Sequence, residues 1–329
     1  MVAAGHGRGE ARVPVPCPVI AFLFPGQGSQ AVGMGRAFRD ASPAARAVFE
    51  AADTALGFDL TRLMFEGPEA ELALTANTQP AVLTASVAAA AACAERGLRP
   101  ALAAGHSLGE YSALVVAGAL TLADAVRVVR RRGELMQQAV PVGTGAMAVI
   151  MGLALPDVEA VCGEAARGEV VEIANVNSEA QIVVAGHRAA VERAVALASA
   201  RGGKKSVLLP VSAPFHCALM KPAADGLAGA LARVTVKDPV IGVVRNVDAG
   251  LTRSAGDVVP FLLRQVASPV RWTDCVRRLA AEGATTFVEV GPGRVLTALL
   301  KRIVDGARGL SVEDPAGLEK ALAAIESKA

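Results

Sequence analysis

Gly105-His106-Ser107-Leu108-Gly109 follows the short apolar run Leu102-Ala103-Ala104 and precedes a helix-compatible stretch that begins at Glu110. Strand, sharp turn and helix with a serine at the apex make up a nucleophile elbow, in which the turn lifts the hydroxyl clear of the sheet edge. The turn is so tight that side chains two positions to either side of the serine would collide with it. Gly105 and Gly109 remove those side chains, so the spacing carries a steric reason as well as a pattern.

Outward from the elbow, Val19-Ile20-Ala21-Phe22-Leu23-Phe24 reads as a buried parallel strand. Pro25-Gly26-Gln27-Gly28-Ser29-Gln30 is the loop at its carboxyl end, where open α/β sheets line their ligand crevice. Ser42 as cap and Pro43 at the first helical position predict a helix over 43–55, and a second helix is predicted over 79–96. Strand and helix then alternate as a parallel sheet requires. From Gly145 the texture changes. Strand 146–153, helix 156–167, strand 170–176, strand 181–185, helix 189–201 and strand 205–211 follow in the order βαββαβ, a ferredoxin-like unit inserted after the elbow helix. A last strand, Thr286 to Val290, meets Gly291-Pro292-Gly293 and a helix from Val295. The fold class is therefore α/β, a parallel-sheet core with an inserted ferredoxin-like subdomain. The predicted division is a flexible tail over 1–17, a catalytic domain over 18–143 and 212–315, the subdomain over 144–211, and a C-terminal helix or tail over 316–329.

With 329 residues, 53% of them hydrophobic, the chain can bury a large core. Its 33 basic and 31 acidic residues leave a net charge of +2, which gives no global field for nucleic acid or an acidic membrane. Cys17, Cys93, Cys162, Cys217 and Cys275 are odd in number and lack a C-x-x-C pair, which argues against a zinc site or disulfide framework and fits a reducing cytoplasm. The longest apolar stretch, Ala81 to Cys93, is interrupted by Thr84 and Ser86 and is shorter than the roughly 18 to 20 residues of a bilayer span. The start of the chain shows no small-residue cleavage site, so a cleaved leader is not expected.

A serine hydroxyl is a poor nucleophile near neutrality and needs a base within hydrogen-bond reach. Of four histidines, His6 lies in the tail, and the side chain of His106, next to the serine, should leave the elbow in another direction. His187 stands at a strand end inside the insert, whereas His216 follows Pro214 where the chain returns to the main domain; order and placement favour His216. Triads usually add an acid, yet no Asp or Glu between Ser107 and His216 is singled out. Cys217 has neither an elbow nor a base of its own and reads as a small buried residue.

On the helix from Leu122 to Val140, Leu122, Ala125, Val126, Val129, Gly133, Met136 and Val140 form one stripe. Arg132 falls at its edge, roughly 60° from Val129, whereas Arg127 and Arg131 point away. An inward guanidinium is costly unless it meets an anion, and a stripe-edge arginine can also snorkel to water. In the first case a carboxylated substrate follows. The oxyanion formed when Ser107 attacks a carbonyl needs preorganised donors. Leu108, the residue after the nucleophile, offers one backbone N–H, and Gln27 in the loop after the first strand is the candidate for the second.

Together Phe24-Pro25-Gly26-Gln27-Gly28-Ser29-Gln30, Gly105-His106-Ser107-Leu108-Gly109-Glu110-Tyr111-Ser112, Pro214-Phe215-His216-Cys217 and Glu289-Val290-Gly291-Pro292-Gly293 resemble the malonyl-CoA:acyl carrier protein transacylase family from about Val19 to beyond Lys301. The resemblance implies an α/β-hydrolase-like core and assigns Ser107 as the acylated nucleophile, His216 as base and the N–H groups of Gln27 and Leu108 as oxyanion hole. It also implies Arg132 as the clamp on the malonyl carboxylate, the main-chain carbonyl of Gln265 in place of a triad acid, and Met136 and Asn175 lining the pocket. Phe215 stands where some bacterial relatives have serine, and its bulk should crowd an α-methyl branch, favouring malonyl over methylmalonyl. Malonyl-CoA is then substrate, acyl carrier protein the partner, no metal or cofactor is bound, and the enzyme is a cytoplasmic monomer of fatty acid biosynthesis. Lys204, Lys205, Arg253 and Arg271 are candidates for a basic rim facing the carrier. A polyketide-synthase acyltransferase would have identical chemistry. An esterase or thioesterase would share the elbow without requiring an inward arginine.

Overall fold

The structure, a computed structural model, describes residues 18–141, 143–211 and 213–327. The predicted tail over 1–17, with His6 and Cys17, lies outside the described residues, as do the last two positions of the C-terminal segment. The strands are β1 (Val19–Phe24), β2 (Leu102–Gly105), β3 (Gly145–Met151), β4 (Val171–Ser178), β5 (Gln181–His187), β6 (Lys205–Leu208), β7 (Gly242–Val244), β8 (Leu251–Thr252), β9 (Ala284–Val290) and β10 (Arg308–Val312).

One sheet has the order β10-β9-β1-β2-β7-β8. Its first five strands are mutually parallel and β8 closes one edge antiparallel to β7. The two-residue alternation of a strand divides the core at β1. Phe22 and Phe24 join the cluster built on the helix Thr75–Glu95, while Ala21 and Leu23 join Trp272, Phe287 and Leu296 on the other face. The second sheet is antiparallel with the order β4-β5-β3-β6, which is the ferredoxin-like arrangement expected of βαββαβ. Ala146, Ala148 and Ile150 of β3 pack under the helices Leu155–Ala166 and Arg188–Ala200. Met147 points the opposite way into the main core, so this sheet turns one face toward the elbow.

The structure departs from the expected elements in three respects. The helix expected over 79–96 spans Thr75–Glu95, with Pro80 inside it. Proline removes the N–H that would bond the Ala76 carbonyl, and Nη1 of Arg130 donates to that oxygen instead at 3.3 Å. Gly133 lets the two helices cross, since a Cβ there would lie 2.6 Å from the Thr75 carbonyl oxygen. The strand expected to reach Val211 ends at Leu208: the Leu209 N–H still bonds the Met147 oxygen at 2.8 Å, but Pro210 cannot donate to a ladder and the chain then turns, with a Val211 N–H to Leu209 oxygen bond of 2.9 Å. Strands β7, β8 and β10 had no expectation, the first two being only three and two residues long. The C-terminal segment does form a helix, Pro315–Glu326, capped by Asp314.

The Glu289-Val290-Gly291-Pro292-Gly293 motif resolves into a structural device. The buried Glu289 carboxylate accepts from the N–H groups of Leu296 at 3.0 Å and Thr297 at 2.7 Å, capping the helix Val295–Leu300 against β9.

Candidate active site

The elbow forms where expected. Ser107 sits between β2 and the helix Leu108–Val116 with φ 51° and ψ −103°, a left-handed conformation disfavoured for a residue with a Cβ. The steric reading of its glycines holds. A Cβ on Gly105 would come within 1.8 Å of the Gly109 carbonyl carbon, and one on Gly109 within 2.1 Å of the Phe24 carbonyl oxygen. The strain is opposed by hydrogen bonds on both sides of the serine. Its N–H donates to Asn246 Oδ1 at 2.7 Å, and its carbonyl accepts from Gln265 Nε2 at 3.0 Å.

His216 Nε2 lies 2.7 Å from Ser107 Oγ, and its Nδ1 lies 2.9 Å from the Gln265 main-chain oxygen. A carbonyl oxygen only accepts, so Nδ1 carries the proton and Nε2 is left as the acceptor for the serine hydroxyl. Burial, and then the Arg132 charge, lower the His216 pKa to about 3, so the ring is neutral across the physiological range. The other histidines are occupied elsewhere. His106 reaches away from the elbow to Asn177 Oδ1 at 2.9 Å and stacks near Trp272, and His187 accepts the Val170 N–H at 2.9 Å. Cys217 is inert, its thiol donating to the Pro214 carbonyl at 3.1 Å and pushed up to about 12 by burial.

Arg132 does point inward and is only 2% exposed. Its Nη2 donates to Ser107 Oγ and to Gln265 Oε1, each at 3.0 Å, and its Nη1 donates to Gln79 Oε1 at 2.9 Å. These partners are neutral oxygens. Among the described residues Nε is buried with no hydrogen-bond partner. A guanidinium in such a place stays charged although burial pulls its pKa down. The elbow thus holds a desolvated cation beside Ser107, and among the described residues no carboxylate forms an ion pair with it.

A cavity of about 530 Å³ opens onto these groups. Gln27, Leu108, Met136, Asn175 and Phe215 all line it, together with Ser107, His216 and Arg132. Around the elbow the N–H of Gly109 bonds His106 oxygen and that of Glu110 bonds Ser107 oxygen. Among the described residues no hydrogen bond engages the N–H of Leu108 or Gln27, the pair expected to face an oxyanion. A Cβ on Gly26 would lie 2.5 Å from the His106 carbonyl oxygen, so the first loop rests directly on the elbow. Met136 Sδ receives Gln79 Nε2 at 3.7 Å, bracing the residue that holds Arg132, and Asn175 presents a buried Oδ1 with no partner among the described residues. Of the four rim candidates, Arg253 and Arg271 are paired with Glu282 at 3.6 Å and Asp274 at 2.7 Å. Lys204 and Lys205 are exposed beside and on the edge strand β6.

Three participants escape the sequence reading. Glu110 is buried under the serine and accepts at Oε2 from the Asn246 N–H at 3.0 Å and Gln265 Nε2 at 2.7 Å. Burial raises its pKa to about 7, against the lowering effect of those donors and of the Arg132 and Arg245 charges. Asn246 also ties the turn through Nδ2 to the Gly105 carbonyl at 2.8 Å. Gln79 is the third. Glu110 carries a usable signal, an acidic residue one turn after the nucleophile on a helix otherwise apolar there. Asn246 carries none, since it meets the elbow across 139 residues of chain.

The described residues contain no helix long and apolar enough to cross a membrane. Residues 21–325 match the acyl transferase domain family. The chain is 51% identical over 303 residues to the malonyl CoA-acyl carrier protein transacylase of Salmonella typhimurium, covering 92% of this chain and 98% of that one. It is similar to the crystal structure of an acyl carrier protein S-malonyltransferase from Vibrio cholerae, with a TM-score of 0.90, 48% identity and coverage of 92% and 99% of the two chains. A malonyl-transacylase solved in complex with its type II polyketide-synthase acyl carrier protein matches at TM-score 0.90 and 48% identity, over 93% of this chain and 99% of that one. With a serine elbow, a carbonyl-oriented histidine and an inward arginine on this α/β scaffold, the chain belongs to the acyl transferase domain family, among the malonyl CoA-acyl carrier protein transacylases.

Proposed function

We propose that this enzyme transfers the malonyl group of malonyl-CoA to the phosphopantetheine thiol of an acyl carrier protein, through a malonyl ester on Ser107. The observation that carries the reading is Arg132, a buried cation whose Nη2 lies 3.0 Å from Ser107 Oγ and whose partners are neutral. A carboxylated acyl group supplies the anion such a site needs.

His216 takes the Ser107 proton at Nε2 as Oγ attacks the thioester carbonyl, while its Nδ1–H donates to the Gln265 carbonyl and holds the tautomer. The developing oxyanion is received by the N–H groups of Gln27 and Leu108. Collapse breaks the C–S bond, the proton on Nε2 passes to the departing coenzyme A sulfur, and the malonyl group stays on Ser107. In the second half His216 accepts the proton of the carrier thiol, whose sulfur attacks the ester through the same oxyanion site, and Ser107 recovers its proton as it leaves. Arg132 holds the malonyl carboxylate throughout. Met136 and Asn175 line the acyl pocket, and Phe215 crowds the position of an α-methyl branch. No cofactor is needed for either step.

The unit over 144–211 acts as a subdomain that closes over the serine of the domain formed by 18–143 and 212–315, and the enzyme works as a cytoplasmic monomer. Fatty acid synthesis is the first assignment for the carrier. The likeness to a transacylase solved with a polyketide-synthase carrier supports polyketide synthesis as the second. Competition among malonyl-, methylmalonyl- and acetyl-CoA, run with a carrier protein of each kind, tests the reading. Preferential transfer of malonyl is expected, and equal use of acetyl-CoA would overturn it.

A further inference from the structure

Gln265 is the point where three functional groups meet. Its main-chain oxygen holds His216 Nδ1 at 2.9 Å, its Oε1 accepts from Arg132 Nη2 at 3.0 Å, and its Nε2 donates to the Ser107 carbonyl at 3.0 Å. A side-chain amide can be turned over, exchanging its oxygen and nitrogen. Turned over, its NH2 group would face the Arg132 donors and its oxygen would face the Ser107 carbonyl. The Glu110 carboxyl stands on the nitrogen side, with Oε2 2.7 Å from Nε2. The same oxygen accepts the N–H of Asn246 at 3.0 Å, and Asn246 Oδ1 in turn accepts the Ser107 N–H at 2.7 Å. One acceptor therefore anchors both residues that grip the strained serine peptide, Asn246 on its N–H and Gln265 on its carbonyl.

We propose that Glu110 is a positioning residue for acyl transfer, which through Asn246 and Gln265 fixes the Ser107 peptide, while Arg132 keeps its separate anchor on Gln79. Glu110 is not among the cavity-lining residues, and among the described residues no hydrogen bond joins its carboxyl to Ser107 Oγ or His216. Burying the carboxyl carries a desolvation cost, and what it returns is an acceptor for two buried donors, both on the residues that hold the Ser107 peptide. A carboxyl near neutrality in charge fits the role, because Oε2 can accept from both donors while a proton rests on the other oxygen.

The inference rests on the proposed function and is tested on the intact enzyme with malonyl-CoA and an acyl carrier protein, with kcat referred to the folded fraction. Loosening the nucleophile should act on chemistry and not on substrate binding. Glu110→Ala is expected to lower kcat by about tenfold or more while the KM for malonyl-CoA stays within about threefold. Glu110→Gln keeps an oxygen acceptor for both donors and is expected to return kcat to within about threefold of the parent. A Glu110→Ala enzyme with the parent kcat per folded molecule overturns the role, as does a Glu110→Gln enzyme that falls as far as Glu110→Ala. If Glu110→Ala does not fold, Asn246→Ala carries the test, with a kcat loss of about tenfold expected and an unchanged kcat overturning the proposal. A parent enzyme that transfers malonyl beside an equally fast Glu110→Ala overturns the role of Glu110 and leaves the proposed function standing. A parent enzyme without malonyl transfer overturns both.

Discussion

Replacing Arg132 with alanine separates the acyl selectivity of the site from its general reactivity. The guanidinium is 2% exposed and makes three hydrogen bonds, to Ser107 Oγ, Gln265 Oε1 and Gln79 Oε1. With a malonyl group bound, its carboxylate would face that cation in a desolvated cavity, and removing one member of a buried pair costs about 3 kcal/mol or more. Transfer of malonyl should then fall about a hundredfold in kcat/KM, since each 1.36 kcal/mol is about a factor of ten. An acetyl group has no carboxylate and loses nothing of this kind. Arg132→Ala also removes the hydrogen bond that Nη2 donates to Ser107 Oγ, which in the resting enzyme withdraws electron density from the nucleophile. Acetyl transfer should therefore stay within about threefold of its starting value. The assay is steady-state transfer of each acyl group from its CoA thioester to one carrier protein, with the ratio of the two kcat/KM values as readout. Equal losses for malonyl and acetyl would refute the clamp, because they would mean that Arg132 supports only the architecture around Ser107.

Other expectations follow from the same geometry. Gly109→Ala places a Cβ 2.1 Å from the Phe24 carbonyl oxygen, a backbone clash that should cost more than about 3 kcal/mol in urea unfolding; a loss below about 1 kcal/mol would show that the loop can move aside. NMR of the His216 ring should show it neutral down to about pH 5, since burial and the Arg132 charge hold its pKa at about 3. Removing that charge in Arg132→Ala should move the midpoint upward, and a downward shift would contradict the cause. Burial raises the Glu110 carboxyl from 4.5 to about 7, so across that window the folded chain keeps a proton that the unfolded chain releases. That contribution to stability is present below the unfolded pKa and is lost as pH rises through the folded one. The Tm of the parent relative to Glu110→Gln should accordingly fall between about pH 5 and about pH 8, and a constant difference would count against a raised pKa. Phe215→Ser should raise methylmalonyl use relative to malonyl by about tenfold, the discrimination expected for a methyl group in a tight pocket; an unchanged ratio would place the selectivity elsewhere.

The parts of the site legible in the sequence are those whose constraint is local. Gly105, Ser107 and Gly109 report a turn closed within five residues, and the collisions a Cβ would make there are set by the immediate backbone. Arg132 was half legible. Counting 100° per residue brought it to the edge of the buried stripe, but only the packed helices decide that it turns inward to Gln79 and Gln265 and not outward to water. The helix over 75–95 begins four residues before its expected start, with Pro80 inside it. The compensation comes from Arg130 on another helix, which bonds the orphaned Ala76 carbonyl. Of the network of Glu110, Asn246 and Gln265, only the main-chain carbonyl of Gln265 was named from the resemblance and only Glu110 carries a local signal; the side-chain links through Asn246 were not legible. Asn246 follows β7, a three-residue strand, and its partners at the elbow lie 136 to 141 residues earlier in the chain. No periodicity records such a contact, and only the closing of the parallel sheet beside β2 creates it.

The central claim is that Ser107 carries the acyl group between the two thiols. Mixing the enzyme with radiolabelled malonyl-CoA in the absence of carrier protein, quenching and sequencing the labelled peptide reads this directly. The account predicts one malonyl group on the peptide that contains Ser107, released by a carrier thiol and absent from Ser107→Ala. Label on any other residue, or label that persists in Ser107→Ala, would contradict it.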